Sequence, residues 1–459
     1  MAWARVYLFN FVQINSSSVQ ITQSTQIKEL QRNTYVIGWL LFGNLADNAF
    51  DPKIYLVICC ASVGIYFIIL GIYIEVTTNS VEMTDTCIVF ATDSAMFLYA
   101  GIKAFTMVQL FNWFPARFRG ITMALLQTAE TMGYVSQFFT TVWWPYFPFV
   151  PYDDPNLLDA FGVRHIIMGG LLIVTAVIDH FTFFNYPMQR SIIMARTERS
   201  HSENNRLLEI AQMPGRDDLF SEFFKGENRS KMGFTVSFLS VLCMREFQVI
   251  VVGGCLKHMA DYFSFGLVGV TSNFQKSSES FAPYFFGQIA GALIAGVTND
   301  FIFNNYQFLL LTVWNMVMII WNFWDIIYPI HNEDYIEWSL AVFGVASGFS
   351  DFFIMFLLPM TLADKNRLFA YELTMLGTII ALVNLAMFMS TSLFASFAMS
   401  VLLGDLHTGD IFNRILIIVL LLLSTWVFWH RAWSQLDTLR WQRRRSSVRG
   451  SRASQFNLS

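Results

Sequence analysis

The chain has 459 residues, of which 55% are hydrophobic and only 14% charged, with a mean hydropathy of +0.47. A soluble protein carries roughly 25% charged residues, so the deficit makes lipid the main solvent. The net charge of −4 gives no reason to expect a nucleic-acid partner. Cys59, Cys60, Cys87, Cys243 and Cys255 contain no C-x-x-C pair and sit mostly in apolar runs, which argues for packing rather than a disulfide framework or a zinc site. No metal and no cofactor is expected.

Apolar runs of about 20 residues cross a bilayer. The first half offers four, at 54–74, 88–114, 121–144 and 166–186, preceded by shorter runs at 35–46 and 1–14. The N-terminal run lacks the apolar core and small-residue cleavage site of a signal peptide. The second half offers six, at 236–260, 281–303, 306–328, 338–362, 369–397 and 411–429. The predicted architecture is an all-α polytopic membrane protein of two six-helix bundles. The bundles occupy 1–187 and 236–431, joined by a cytosolic loop at 188–235 and followed by a basic tail at 432–459.

Charge on the connections sets the orientation. Lys53, Arg117 with Arg119, the arginine-rich loop around Pro214, Lys365 with Arg367 and the tail all fall on one side. Glu75, Glu82, Asp85, Asp153, Asp154, Glu333, Asp334, Asp405 and Asp410 fall on the other. The positive-inside rule then places both termini and the central loop in the cytosol. The tail, with Arg443, Arg444 and Arg445 before Ser446 and Ser447, suits membrane-lipid headgroups. Asn15-Ser16-Ser17 is a glycosylation triplet on the opposite side.

One pattern occurs twice: Gly38, Gly43 and Asp47 in the first half return as Gly291, Gly296 and Asp300 in the second, both as G-x-x-x-x-G-x-x-x-D at the end of an apolar run. Glycine permits close helix approach, and an aspartate leaving the lipid is able to cap a neighbouring helix. A second motif runs Asn112-Trp113-Phe114 to Arg117, Arg119 and Gly120. With six plus six spans and a basic central loop, these motifs resemble the major facilitator superfamily. The form of the second motif is most similar to the organophosphate and sugar-phosphate antiporter branch.

The resemblance implies alternating access around a midplane site lined by the first, fourth, seventh and tenth spans, with Lys257 at the position of a phosphate-gripping basic residue. The chain departs from the family pattern at three places. Asn48 and Phe301 follow the two aspartates where a basic residue is usual, the run 1–14 is too short to cross, and Gln13 stands where an arginine would be expected.

Ionisable residues inside spans cost about 2.5–3.5 kcal/mol at a helix centre and are by default paired or functional. They are Lys103, Glu130, Lys257, His258, Asp261, Asp351 and Glu372. Lys257 and Asp261 share a helix face and are able to neutralise each other. Lys103 has no acid within a turn, so it needs a partner on another helix or an anionic ligand, and is expected to face the central cavity. Lys103, Lys257, Tyr99, Gln109 and Asp351 are the candidate solute contacts; Asp261, His258 and Glu130 are candidates for coupling or pairing. Two cations at this depth favour an organic anion such as a phosphate ester. No nucleophile, metal or phosphate-loop motif stands in a credible context, so an enzyme is not expected. Two functions remain open: a secondary transporter of a small solute, or a transporter-derived receptor or scaffold with membrane-protein partners.

Overall fold

The computed structural model describes residues 25–48, 52–77, 81–114, 118–143, 157–182, 239, 241–271, 282–301, 307–327, 333–365, 375–402 and 413–434. These residues form helices and no strand. In chain order they are α1 (Thr25–Asn48), α2 (Pro52–Thr77), α3 (Val81–Trp113), α4 (Arg119–Trp143), α5 (Leu157–Thr182), α6 (Arg245–Thr271), α7 (Ala282–Phe301) and α8 (Gln307–Ile327). Then come α9 (Glu333–Phe352), continued through a π-helical turn (Phe353–Leu357) into α10 (Leu358–Lys365), α11 (Leu376–Leu402) and α12 (Asn413–Ser434). The expected first span, the central loop, the tail beyond Ser434 and the glycosylation triplet lie outside the described residues, as do Arg117, Lys365's side chain and Glu372.

Among the described residues, six stretches of helix are long and apolar enough to cross a bilayer: parts of α2, α3, α5, α8, α9–α10 and α12. The chain is an all-α polytopic membrane protein. On α2 the exposed positions Ile54, Ile58, Ile65, Ile69 and Ile72 make one stripe, while Leu56, Cys60, Val63 and Phe67 are buried. Such a stripe is untenable in water and natural against lipid tails. The remaining long helices carry many of the side chains of the central cavity and of the seam between the halves.

Several boundaries differ from the sequence reading. The run 35–46 is the end of the full-length helix α1, whose first turns are polar; Glu82 and Asp85, read as a connection, lie within α3. The run 236–260 is displaced to Arg245–Thr271, which puts Lys257 at mid-helix. Its charged stretch did not end the helix because the charges are paired within the bundle, as described below.

Packing repeats between the halves. α1 packs on α3 as α7 packs on α9, and α2 packs on α5. The corresponding pair in the second half, α8 and α12, is joined by Asn315 Nδ2 donating to Ser424 Oγ at 3.2 Å. Gly38 lies against Phe97 and Ala100 of α3, and Gly291 against Val345 and Phe349 of α9. Contact between halves is carried by α1 with α11 and α4 with α7. The π turn in the tenth span has a local cause. Pro359 lacks an N–H and its ring crowds the carbonyl four residues back, so the preceding turn widens, with Leu358 N donating to Phe353 O.

The seams close on glycine. A Cβ on Gly43 would sit 2.5 Å from the Gly377 carbonyl oxygen, and one on Gly296 would sit 2.8 Å from that of Gly120. Only a residue without a side chain lets these backbones meet. Gly43→Ala is therefore expected to destabilise the purified protein by about 1–3 kcal/mol through overpacking. Gly170→Ala, where a Cβ meets nothing within 4 Å, is expected to leave stability unchanged or higher; thermal unfolding of the two variants in detergent checks the contrast.

Candidate functional site

At one end of the seam, the two repeated aspartates reach across it. Asp47 at the end of α1 accepts from Gly377 N at 2.9 Å, Thr378 N at 2.7 Å and Thr378 Oγ1 at 2.9 Å. Asp300 at the end of α7 accepts from Gly120 N at 3.0 Å and Ile121 N at 2.8 Å. Each carboxylate satisfies the free N–H groups that open a helix of the opposite half and faces the positive end of its dipole. Asn44, Asn299, Gln307 and Thr361 brace these caps. Asn44 donates to Thr378 Oγ1, Asn299 to Asp300, Gln307 to Asn299, and Thr361 to Gln307. Amides and hydroxyls thus hold the two carboxylates in place. Arg119 opens the capped helix α4: its guanidinium lies 4.1 Å from the Phe111 ring centre and Nε donates to Phe114 O at 2.9 Å.

Between the halves lies a cavity of about 270 Å³. Lys103, Gln127, Glu130 and Thr131 line it from the first half, and His258, Gln288, Asp351 and Asn384 from the second. Trp39, Phe285, Phe352 and Phe356 supply most of its apolar wall. Phe352 and Phe356 stack at 5.3 Å along the π turn, so the widened turn helps to set the position of two of these rings.

Both intramembrane lysines have carboxylate partners. Lys103 Nζ lies 2.7 Å from each oxygen of Glu130, and Tyr99 OH donates to Glu130 Oε1 at 3.3 Å. Lys257 bonds Asp351 Oδ1 at 2.5 Å, pairs with Asp261 one turn on, and donates to Ser347 O at 3.3 Å. Ser347 Oγ bridges the two acids, at 3.2 Å from Asp351 Oδ2 and 3.5 Å from Asp261 Oδ2. Gln288 holds the outer edge of this cluster by donating to Tyr284 OH at 2.9 Å.

The candidate residues sort accordingly. Lys103, Glu130, His258 and Asp351 are on the cavity wall. Lys257 and Asp261 are buried behind it, Tyr99 is packed against Glu130 and stacked on Tyr35, and Gln109 is buried in α3 away from the cavity. The expectation of an anion rested on two cationic side chains at this depth. Each lysine has at least one carboxylate partner, so neither stands as an unpaired cation at the cavity. Sequence reasoning missed Gln127, Gln288, Asn384, Thr131 and the aromatic wall. One signal was present: Gln127 and Asn384 each stand seven residues beyond Gly120 and Gly377, the residues whose N–H groups the aspartates cap.

No family model and no curated protein matches the chain. Solved structures do. An outward-conformation crystal structure of the major facilitator superfamily transporter FucP matches with a TM-score of 0.57 at 11% identity, over 93% of this chain and 97% of that one. The proton:xylose symporter XylE bound to 6-bromo-6-deoxy-D-glucose matches with a TM-score of 0.56 at 14% identity, over 94% of each chain. The fold is that of the major facilitator superfamily.

Breaking one partner of a buried ion pair costs about 3–5 kcal/mol because the other charge is stranded. Glu130→Gln is expected to destabilise on that scale, and adding Lys103→Met is expected to restore most of the loss. Denaturant unfolding of the two singles and the double gives the coupling energy.

Proposed function

We propose that the protein is a secondary transporter that moves a small organic solute by alternating access. The observation that carries this reading is the placement of one small polar and aromatic cavity, lined from both halves, between helices whose ends are tied across the seam by Asp47 and Asp300. Capping bonds between halves are reversible: water replaces the carboxylate when the helices separate. On this reading the caps hold the cavity closed at their own end, which charge on the neighbouring connections assigns to the cytosol. The halves then rock about the seam to expose the cavity to either side. FucP and XylE, by their own descriptions, are a transporter and a proton:xylose symporter, which supports the class.

The paired lysines separate solute classes. A phosphate ester would have to displace Glu130 or Asp351 to reach a cation, whereas a neutral or positively charged solute leaves both pairs intact.

Purified protein in proteoliposomes is expected to accumulate or exchange a small solute from a panel of hexoses, phosphate esters and amines. Asp47→Asn with Asp300→Asn is expected to slow that flux by at least about tenfold while the protein still elutes as a folded species. Absence of flux for every solute, from protein whose unfolding remains cooperative, contradicts the transporter reading.

A further inference from the structure

The charge balance of the cavity names a solute class, and this step rests on the transporter reading above. Among the described residues, three carboxylates (Glu130, Asp261 and Asp351) meet two lysines (Lys103 and Lys257) at the cavity. With the three carboxyls ionised and a neutral imidazole at His258, the formal charge of the cluster is −1. The surplus is displayed toward the solute space: the Asp351 side chain is 35% exposed on the wall, while the Lys257 side chain behind it is 0% exposed. Among the described residues, Asp261 Oδ1 is buried with no hydrogen-bond partner, its Oδ2 being the oxygen paired with Lys257.

The rings supply the complementary half. Lys103 Nζ already lies 5.7 Å from the centre of the Phe356 ring, so this π face meets a cation as the protein stands. Phe352, Phe285 and Trp39 continue the apolar surface around the space that Asp351 faces. A carboxylate beside aromatic faces is the chemistry that recognises ammonium and quaternary ammonium groups. An anion would meet Asp351 with both lysines already occupied.

We infer that the cavity takes a small organic cation, its charged nitrogen against Asp351 and its apolar groups against Phe285, Phe352 and Trp39.

The test uses the full chain in lipid nanodiscs at pH 8, where an ordinary imidazole is neutral. The probes are choline, its uncharged isostere 3,3-dimethylbutan-1-ol, D-glucose and inorganic phosphate. Choline is expected to bind at least about tenfold more tightly than the isostere. Asp351→Asn, in which Lys257 keeps Asp261 and the cluster becomes neutral, is expected to bring that ratio close to one, and Asp351→Glu to retain it. Phe285→Leu, which removes a π face but keeps apolar bulk, is expected to weaken choline several-fold and leave the alcohol unchanged, and it serves if the Asp351 variant does not fold. Equal or tighter binding of the alcohol, glucose or phosphate overturns the inference, as does failure of choline to bind. Choline binding without uptake into proteoliposomes removes the transporter reading alone; uptake of glucose or phosphate with choline excluded removes the cation alone.

Discussion

Two aspartates, each at the end of a helix in one half, cap the first turn of a helix in the other. The rest of the architecture follows from what those caps require. The helix ends can be reached only if the backbones of α1 and α11, and of α4 and α7, approach to glycine contact. Hence Gly43 meets Gly377 and Gly120 meets Gly296. With the seams held at that end, the more polar helices face inward and the apolar helices α2, α5, α8 and α12 are left to meet lipid. The cavity is the space that remains between the halves beyond the caps.

That arrangement makes charge expensive and therefore informative. In lipid, a lone lysine or carboxylate at mid-helix costs several kcal/mol, so every ionic group near the cavity is drawn into a partner network. Lys103 and Glu130 neutralise each other within the first half. Lys257, Asp261, Asp351 and Ser347 form a larger cluster in the second, with the acids in excess. The two halves share a packing plan and differ in electrostatics, with the larger ionic cluster in the second half, around Asp351.

Much of the fold was legible in the sequence, because hydropathy needs only about 20 consecutive residues to declare a span and because the G-x-x-x-x-G-x-x-x-D pattern is local. The lysines were also legible as residues needing partners. The partners themselves were harder. Asp261 is one helical turn from Lys257 and could be named directly, whereas Glu130 reaches Lys103 from the next helix, and periodicity within a helix carries no information about contacts between helices. Gln109 shows the same limit from the other side: a candidate solute contact, it is buried in α3 and is not among the residues that line the cavity. The aromatic wall was hidden among 47 phenylalanines, where only the fold distinguishes a ring facing the cavity from one facing lipid.

The central claim is that the capped end opens and closes. Phe118 and Phe301 lie on opposite halves beside the Asp300 cap, with ring centres 6.5 Å apart and both side chains exposed, so a spin-label pair at Phe118→Cys and Phe301→Cys reports the separation directly. Electron–electron distance measurement in nanodiscs is expected to give a short population and a longer one, with the longer one growing when Asp47→Asn and Asp300→Asn remove the caps. A single short distance, unchanged by loss of both carboxylates, would contradict the account.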